Sequence, residues 1–476
     1  MADWDTLAGK VPGKPGIDAL QTGPDLVVNR SFDGQLRLFD GAQEKDVRVT
    51  LYRDPAAWCA YCQRVQMQLE IKRIPYRIRM INMRCYGAKP EYYLRMVPSG
   101  LFPAITVSEA GSERNERLIT ESLDIMFFLE ANFPTYASLL PQDTKGKQAM
   151  QALLRLERDV FSCWCGHMFY PGGNEKQFVA ALQAWSDALD NIAPGKQYMM
   201  GDDVSLVDIV AAPFFERYTA TAAYWKDMLI RQRFPSIDAW LCALERNVQS
   251  FRALQGDIYS HAKAIPPQYG SGYFSKARGS QDALHSVIDG SGANAWLLPL
   301  PPLRDEPDWW QSSAFRPSED LNDPKQAELE LQRNKLQAAA RLVQNHEKLV
   351  KFCVRGIGER PRTVRAPLSD PDADVSRVPS MLKEYVDAAL FDLAAWLVAQ
   401  DDTPGPSVRD SLLQADRDTK QDICASLMYF RDRVGVPRDL PYPAARVLRA
   451  GLHFVCQEIA GREEWARLKS QVTSSV

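Results

Sequence analysis

At 476 residues, with a formal net charge of −3 and 45% hydrophobic residues, the chain has room for roughly two to four globular domains and lacks the cationic field that non-specific nucleic-acid binding needs. No apolar run approaches the roughly 18 to 20 residues that span a bilayer, and Asp3, Asp5, Asp18 and Asp25 occupy an N-terminus without an apolar h-region, so a soluble, non-secreted protein is expected. Nine cysteines, an odd number scattered through a long chain, do not form a dense disulfide framework and read mostly as reduced, buried thiols.

Residues 1–46 hold several Gly and Pro and a short apolar patch at Leu26 to Val28, which reads as an extended leader packed on the surface. From Val47 the pattern tightens. "VRVTLY" alternates as a strand, "CQRVQMQLEIKR" repeats at helical spacing, and "YRIRMIN" alternates again. After a linker come two short strands, "AITVSE" and "RLIT", then an apolar helix in "SLDIMFFLEANF" that stops before Pro134. A βαβ unit followed by ββα is the thioredoxin arrangement, and it places an α/β domain over residues 47–135.

Residues 140–265 show no convincing alternation and predict an all-α domain. "KQAMQALLRLERDVFSCW" and "EKQFVAALQAWSDALDNI" are amphipathic, and Ser205 with Asp208 three residues on opens a third helix as a capping pattern. Residues 266–323 are rich in Pro, Gly and Ser yet contain Trp296, Trp309 and Trp310, so this connecting segment is expected to lie against the domains. These aromatics could line a cleft for a flavin or another planar ligand, although buried packing explains them more simply. Asp323-Pro324 then starts a helix expected to run to about Arg355, with three further helical stretches over residues 381–461. Together they predict a mainly α-helical C-terminal extension over residues 324–476, large enough to engage a protein partner. His346 and His453 fall in these helices and read as hydrogen-bonded core histidines.

The chemistry concentrates in Cys59-Ala60-Tyr61-Cys62, where a strand-like run gives way to a helix. A cysteine at a helix mouth faces unpaired N–H groups and the positive end of the helix dipole, which stabilises its thiolate. Cys59 is therefore the candidate nucleophile. Cys62, one turn on, is the candidate resolving thiol. Half of a zinc site is the alternative, but it needs a second Cys or His pair. Cys163-Trp164-Cys165 with His167 is the cluster that tempts, and its i, i+2 spacing points the thiols apart, so no metal is expected.

"AKPEYYLRMVPSGLFPAI" followed by "ITESLDIMFFLEANFP" resembles the glutathione-binding half of cytosolic glutathione transferases, and "GDDVSLVDIVAAPFFER" resembles the capping box of their helical half. The likeness covers roughly residues 47–260. Cysteine at the catalytic position resembles the omega, lambda and dehydroascorbate-reductase classes. The CxxC motif and the long extension with "IPPQYGSGY" and "VPRDLPY" resemble the iota class of photosynthetic organisms.

This resemblance implies glutathione as co-substrate, Pro103 as a cis-proline, and the Phe102 backbone as partner of the cysteinyl-glycine part. It also implies that Glu121 and Ser122 hold the γ-glutamyl group and that Lys89 neutralises the glycine carboxylate. The implied activity is thiol transfer through Cys59, on a disulfide or a small oxidised acceptor such as dehydroascorbate. A ligand-binding or assembly role on the same scaffold is the alternative. A monomer or homodimer is implied, in the cytoplasm or, for a processed algal or plant chain, the plastid stroma. Two departures stand out: Ala60 replaces the usual proline, and "SEAGSERNER" inserts a polar hairpin between the late strands.

Overall fold

The alternating stretches on either side of the cysteine pair become neighbouring strands of one mixed sheet. In the computed structural model, residues 3–11, 35–55, 59–108, 116–134, 137–192, 194–270, 272–273, 288, 324–361, 366–399 and 405–465 are described. The sheet order is β1 (Gln35–Arg37), β3 (Tyr76–Met80), β2 (Val49–Arg53), β4 (Ala104–Ser108) and β5 (Glu116–Thr120). β2 and β3 run parallel, and every other pair is antiparallel. A parallel pair requires a crossover, which is supplied by a helix over Ala60–Ile71. Leu51 lies opposite both Ile78 and Ile105, and all three are buried, which fixes the register by the face each strand hides.

The leader holds more regular structure than its composition suggests. A short helix, α1 (Trp4–Ala8), opens the chain, and β1 adds an antiparallel edge to β3. The crossover helix is α2, followed by α3 (Glu91–Met96) and α4 (Ser122–Asn132). The thioredoxin-like domain leads into an all-helical one built on α5 (Thr144–Met168), α6 (Glu175–Ile192) and α7 (Leu206–Lys226). The expected capping box is present at the start of α7: the Ser205 amide donates to Asp208 at 2.9 Å, as does the Met199 amide, and Trp240 Nε1 donates at 2.8 Å. Burial pushes the fully enclosed Asp208 carboxyl up against the pull of these donors.

Beyond residue 323 the helices span Pro324–Val343, His346–Cys353, Ser380–Val398, Arg417–Arg431 and Tyr442–Ala460 around a second core that includes Leu342, Leu390, Leu427 and Leu452. The single helix expected up to Arg355 is broken. Asn345 leaves helical geometry at φ −134°, and its side-chain amide donates to the Arg341 carbonyl at 3.0 Å, occupying an acceptor that the helix end leaves free. α1 packs on this core: Trp4 stacks on His346 with centroids 4.4 Å apart and donates to Asp387 at 3.1 Å. His346 is thus half-buried beside Asp387, whereas His453 is buried and accepts from Trp465 at 3.2 Å.

Two seams hold the extension to the rest of the protein. Arg449 pairs with Asp257 at 2.5 Å, both side chains enclosed, and also donates to Ser260 at 3.1 Å. On the sheet side, Leu368 N–H donates to Cys85 O at 2.9 Å and Ser369 Oγ to Tyr86 O at 2.7 Å. Trp296, Trp309, Trp310 and the "SEAGSERNER" tip over residues 109–115 lie outside the described residues, so the cleft for a planar ligand does too.

Candidate active site

Cys59 is the N-cap of α2, with an extended backbone at ψ 108° and its carbonyl accepting from Gln63 N–H at 3.0 Å. The strand β2 ends at Arg53 and α2 begins at Ala60, so the sulfur sits where the first amides of α2 have no intrahelical partner. Cys59 is 6% exposed and Cys62 is fully buried. The two thiols divide their roles by environment. A hydrogen bond from Cys62 holds the Cys59 thiol below its ordinary value, against the opposing effects of burial and of Asp54. Burial, and the neighbouring Cys59, push Cys62 well up. Cys59 is thus the more acidic of the two thiols, and Cys62 is its hydrogen-bond donor.

Asp54 was not foreseen. It is fully buried at the end of β2, pairs with Arg53 at 3.5 Å, and its carboxylate lies with both sulfurs in a group whose ligand atoms are all within 4.8 Å of one another. This trio, not Cys163, Cys165 and His167 on α5, is the donor set among the described residues that could hold a metal ion. Trp58, next to Cys59 in the chain, lies outside the described residues. Tyr61 is half-buried, packs edge-on to Phe214 at 5.0 Å and accepts from Arg158 at 3.3 Å.

Of the residues implied for glutathione, Lys89 and Phe102 are in contact with each other. The Phe102–Pro103 bond is cis. Lys89 Nζ donates to the Gly100 carbonyl and lies 4.4 Å from the Phe102 ring centroid; burial lowers its pKa. Glu121 is exposed at φ 61°, a left-handed conformation that presents it ahead of α4. Ser122 opens that helix, buried, with its Oγ accepting from Arg64 Nε at 3.0 Å and from Nη2.

Arg64 is the residue that sequence reasoning missed. An arginine in an amphipathic helix reads as solvated, but α2 packs against α4, α7 and the short helix Gln249–Leu254, and Arg64 is 3% exposed. Its guanidinium lies 5.0 Å from the Tyr61 ring and 5.8 Å from Phe214, and its Nη1 is buried without a partner among the described residues. Burial lowers its pKa. The usable signal was α2's run of glutamines, which makes a solvent-facing stripe hard to draw. Across the domain junction Glu157 is also buried, its pKa raised by burial, with Arg158 at 3.6 Å. An open cationic donor beside Ser122 fits a carboxylate there, and the charges of Glu157 and Arg158 on α5 act on Arg64.

Residues 58–132 match the model described as glutathione S-transferase, N-terminal domain, and residues 169–241 match glutathione S-transferase, C-terminal domain. The likeness to glutathione transferases rests on these two segments, together under a third of the chain. Pyrimidodiazepine synthase of Drosophila melanogaster is 29% identical to the transferase part over 194 residues, covering 40% of this chain and 74% of that protein. A probable glutathione S-transferase DHAR1, cytosolic, of Oryza sativa subsp. japonica is 23% identical over 189 residues, 39% of this chain and 79% of the relative. Among solved structures, glutathione transferase Omega 1C from Trametes versicolor covers 47% of this chain and 97% of its own at 20% identity, with a TM-score of 0.39. No helix among the described residues is long and apolar enough to cross a membrane.

Proposed function

We propose that the chain is a glutathione-dependent thiol oxidoreductase of cysteine type, resembling the iota class, with its domains over residues 47–135, 140–265 and 324–476. The observation that carries this reading is the unequal thiol pair: Cys59 at the mouth of α2 with its pKa lowered, and Cys62 buried behind it with its pKa raised. A thiolate in this position is a nucleophile toward sulfur, whereas a hydroxyl in the same place only stabilises the thiolate of glutathione.

In the proposed cycle the Cys59 thiolate attacks the glutathionyl sulfur of a mixed disulfide. The old S–S bond breaks, the acceptor thiol leaves as thiolate and takes a proton, and Cys59 carries glutathione. A second glutathione thiolate attacks that sulfur, releasing oxidised glutathione and regenerating Cys59. The Phe102 backbone, Lys89, Glu121 and Ser122 position the tripeptide, with Arg64 sharing its carboxylate with Ser122. Dehydroascorbate reduction uses the same thiolate on a carbon electrophile, and the DHAR1 relative favours including it in the assay.

The test is reduction of the β-hydroxyethyl disulfide–glutathione mixed disulfide, coupled to glutathione reductase, for wild type, Cys59→Ser and Cys62→Ser. Activity that vanishes in the first variant and survives in the second is the expected result. A wild type inactive with both this substrate and dehydroascorbate overturns the proposal.

A further inference from the structure

The extension carries a cavity of its own, away from the cysteine pair. About 370 Å³ of open space lies between the loop after β3 and the helices Pro324–Val343, His346–Cys353 and Tyr442–Ala460. Its apolar wall includes Leu349, Phe352, Leu368 and Phe430. The polar lining is lopsided, since Arg341, Lys348, Arg433 and Arg438 face one carboxylate, Asp439.

That carboxylate is already spent. Arg438 holds Asp439 through Nε at 3.0 Å and Nη2 at 2.6 Å, and the Gly435 amide donates to it at 2.7 Å. The other three cations are incompletely matched. Arg341 gives its Nε to the Asp439 backbone carbonyl at 2.7 Å and reaches the Asp439 carboxylate only through its charge, and among the described residues Lys348 has no ion-pair partner. Arg433 reaches Asp370, outside the lining, at 3.4 Å and donates to the Tyr429 and Pro367 carbonyls, but its Nε is buried without a partner among the described residues. An unmatched donor and surplus positive charge above an apolar floor form a polarity pattern that a ligand with one charged end and one greasy end completes.

We propose that this cavity binds a small amphipathic organic anion, an aromatic or alkyl body bearing one carboxylate, sulfonate or phosphate. The acidic group sits among Arg341, Lys348 and Arg433, and the body lies along Phe352 and Leu349. Tyr86, which lines the cavity, is three residues from Lys89, so the pocket touches the loop that leads to the glutathione side. Binding here needs neither Cys59 nor glutathione, and so stands or falls separately from the proposed activity.

The probe is 8-anilinonaphthalene-1-sulfonate, titrated by fluorescence against the full chain in saturating S-hexylglutathione, which occupies the transferase site. One saturable site is expected, unchanged in Cys59→Ser, weakened about threefold by Lys348→Glu and at least tenfold by Arg341→Glu combined with Lys348→Glu. Lys348 is exposed, so its single variant reports binding even if the double variant folds poorly. Absence of a saturable site under these conditions, or an affinity that Lys348→Glu leaves untouched, overturns the proposal.

Discussion

Replacing Cys62 by alanine removes the thiol that donates to Cys59, the largest influence holding the Cys59 pKa down. A hydrogen bond to a charged group contributes about 1.5–3 kcal/mol. At 1.36 kcal/mol per tenfold, the thiolate population of Cys59 on the acid limb of its titration should fall by about ten- to a hundredfold. Serine keeps a donor at the same position and should retain most of the effect. Asp54→Asn should act in the opposite direction, because the Asp54 charge raises Cys59. The assay is the pH dependence of carboxamidomethylation by iodoacetamide, followed by mass spectrometry on the Cys59 peptide, since the alkylation rate tracks the thiolate. If the alanine variant reacts on the acid limb like wild type, the helix terminus alone activates Cys59 and the argument from the pair fails. If serine loses as much as alanine, what matters at Cys62 is not donation.

The seam between Asp257 and Arg449 gives a second expectation. Burial alone would push the Asp257 carboxyl up, but the Arg449 charge and its hydrogen bonds outweigh burial and hold it below the ordinary carboxylate value. A depressed folded pKa stabilises above the unfolded carboxylate range and loses that contribution as pH falls through the folded value. Asp257→Asn strands a buried guanidinium, so urea unfolding near neutral pH should show a loss of about 3–5 kcal/mol, with the gap to wild type narrowing on acidification. A gap that stays constant with pH counts against the pairing. Arg64→Ala should raise the KM for glutathione about ten- to a hundredfold, from the ~1.5–3 kcal/mol of a charged hydrogen bond, with a smaller effect on kcat. An unchanged KM in a variant with native circular dichroism would remove Arg64 from the glutathione site.

The thioredoxin-like domain was legible because its strands alternate cleanly and α2 begins at a recognisable junction. Val49, Leu51 and Arg53 are buried at the strand period, and Pro103 and Ser122 sit where a strand and a helix start. What stayed hidden depends on partners distant in sequence. β1 has three residues, too few for a period, and exists through its pairing with β3. The break at Asn345 interrupts a continuous apolar stripe, because a side-chain amide competing for one carbonyl leaves no mark on hydropathy. Arg64 and Asp54 are charged groups buried by elements that arrive later in the chain, and composition alone reads such residues as exposed.

The docking of α1 sets an order of assembly. Trp4 binds Asp387, 383 positions further along the chain. At roughly 5–20 residues per second, α1 waits on the order of 20 to 80 seconds during synthesis before its berth exists. The first core, by contrast, draws on residues between Phe39 and Ile288 and can begin to close while the ribosome is still making the extension. The earliest helix to be made is therefore among the last to find its place, and its arrival records that the extension has folded.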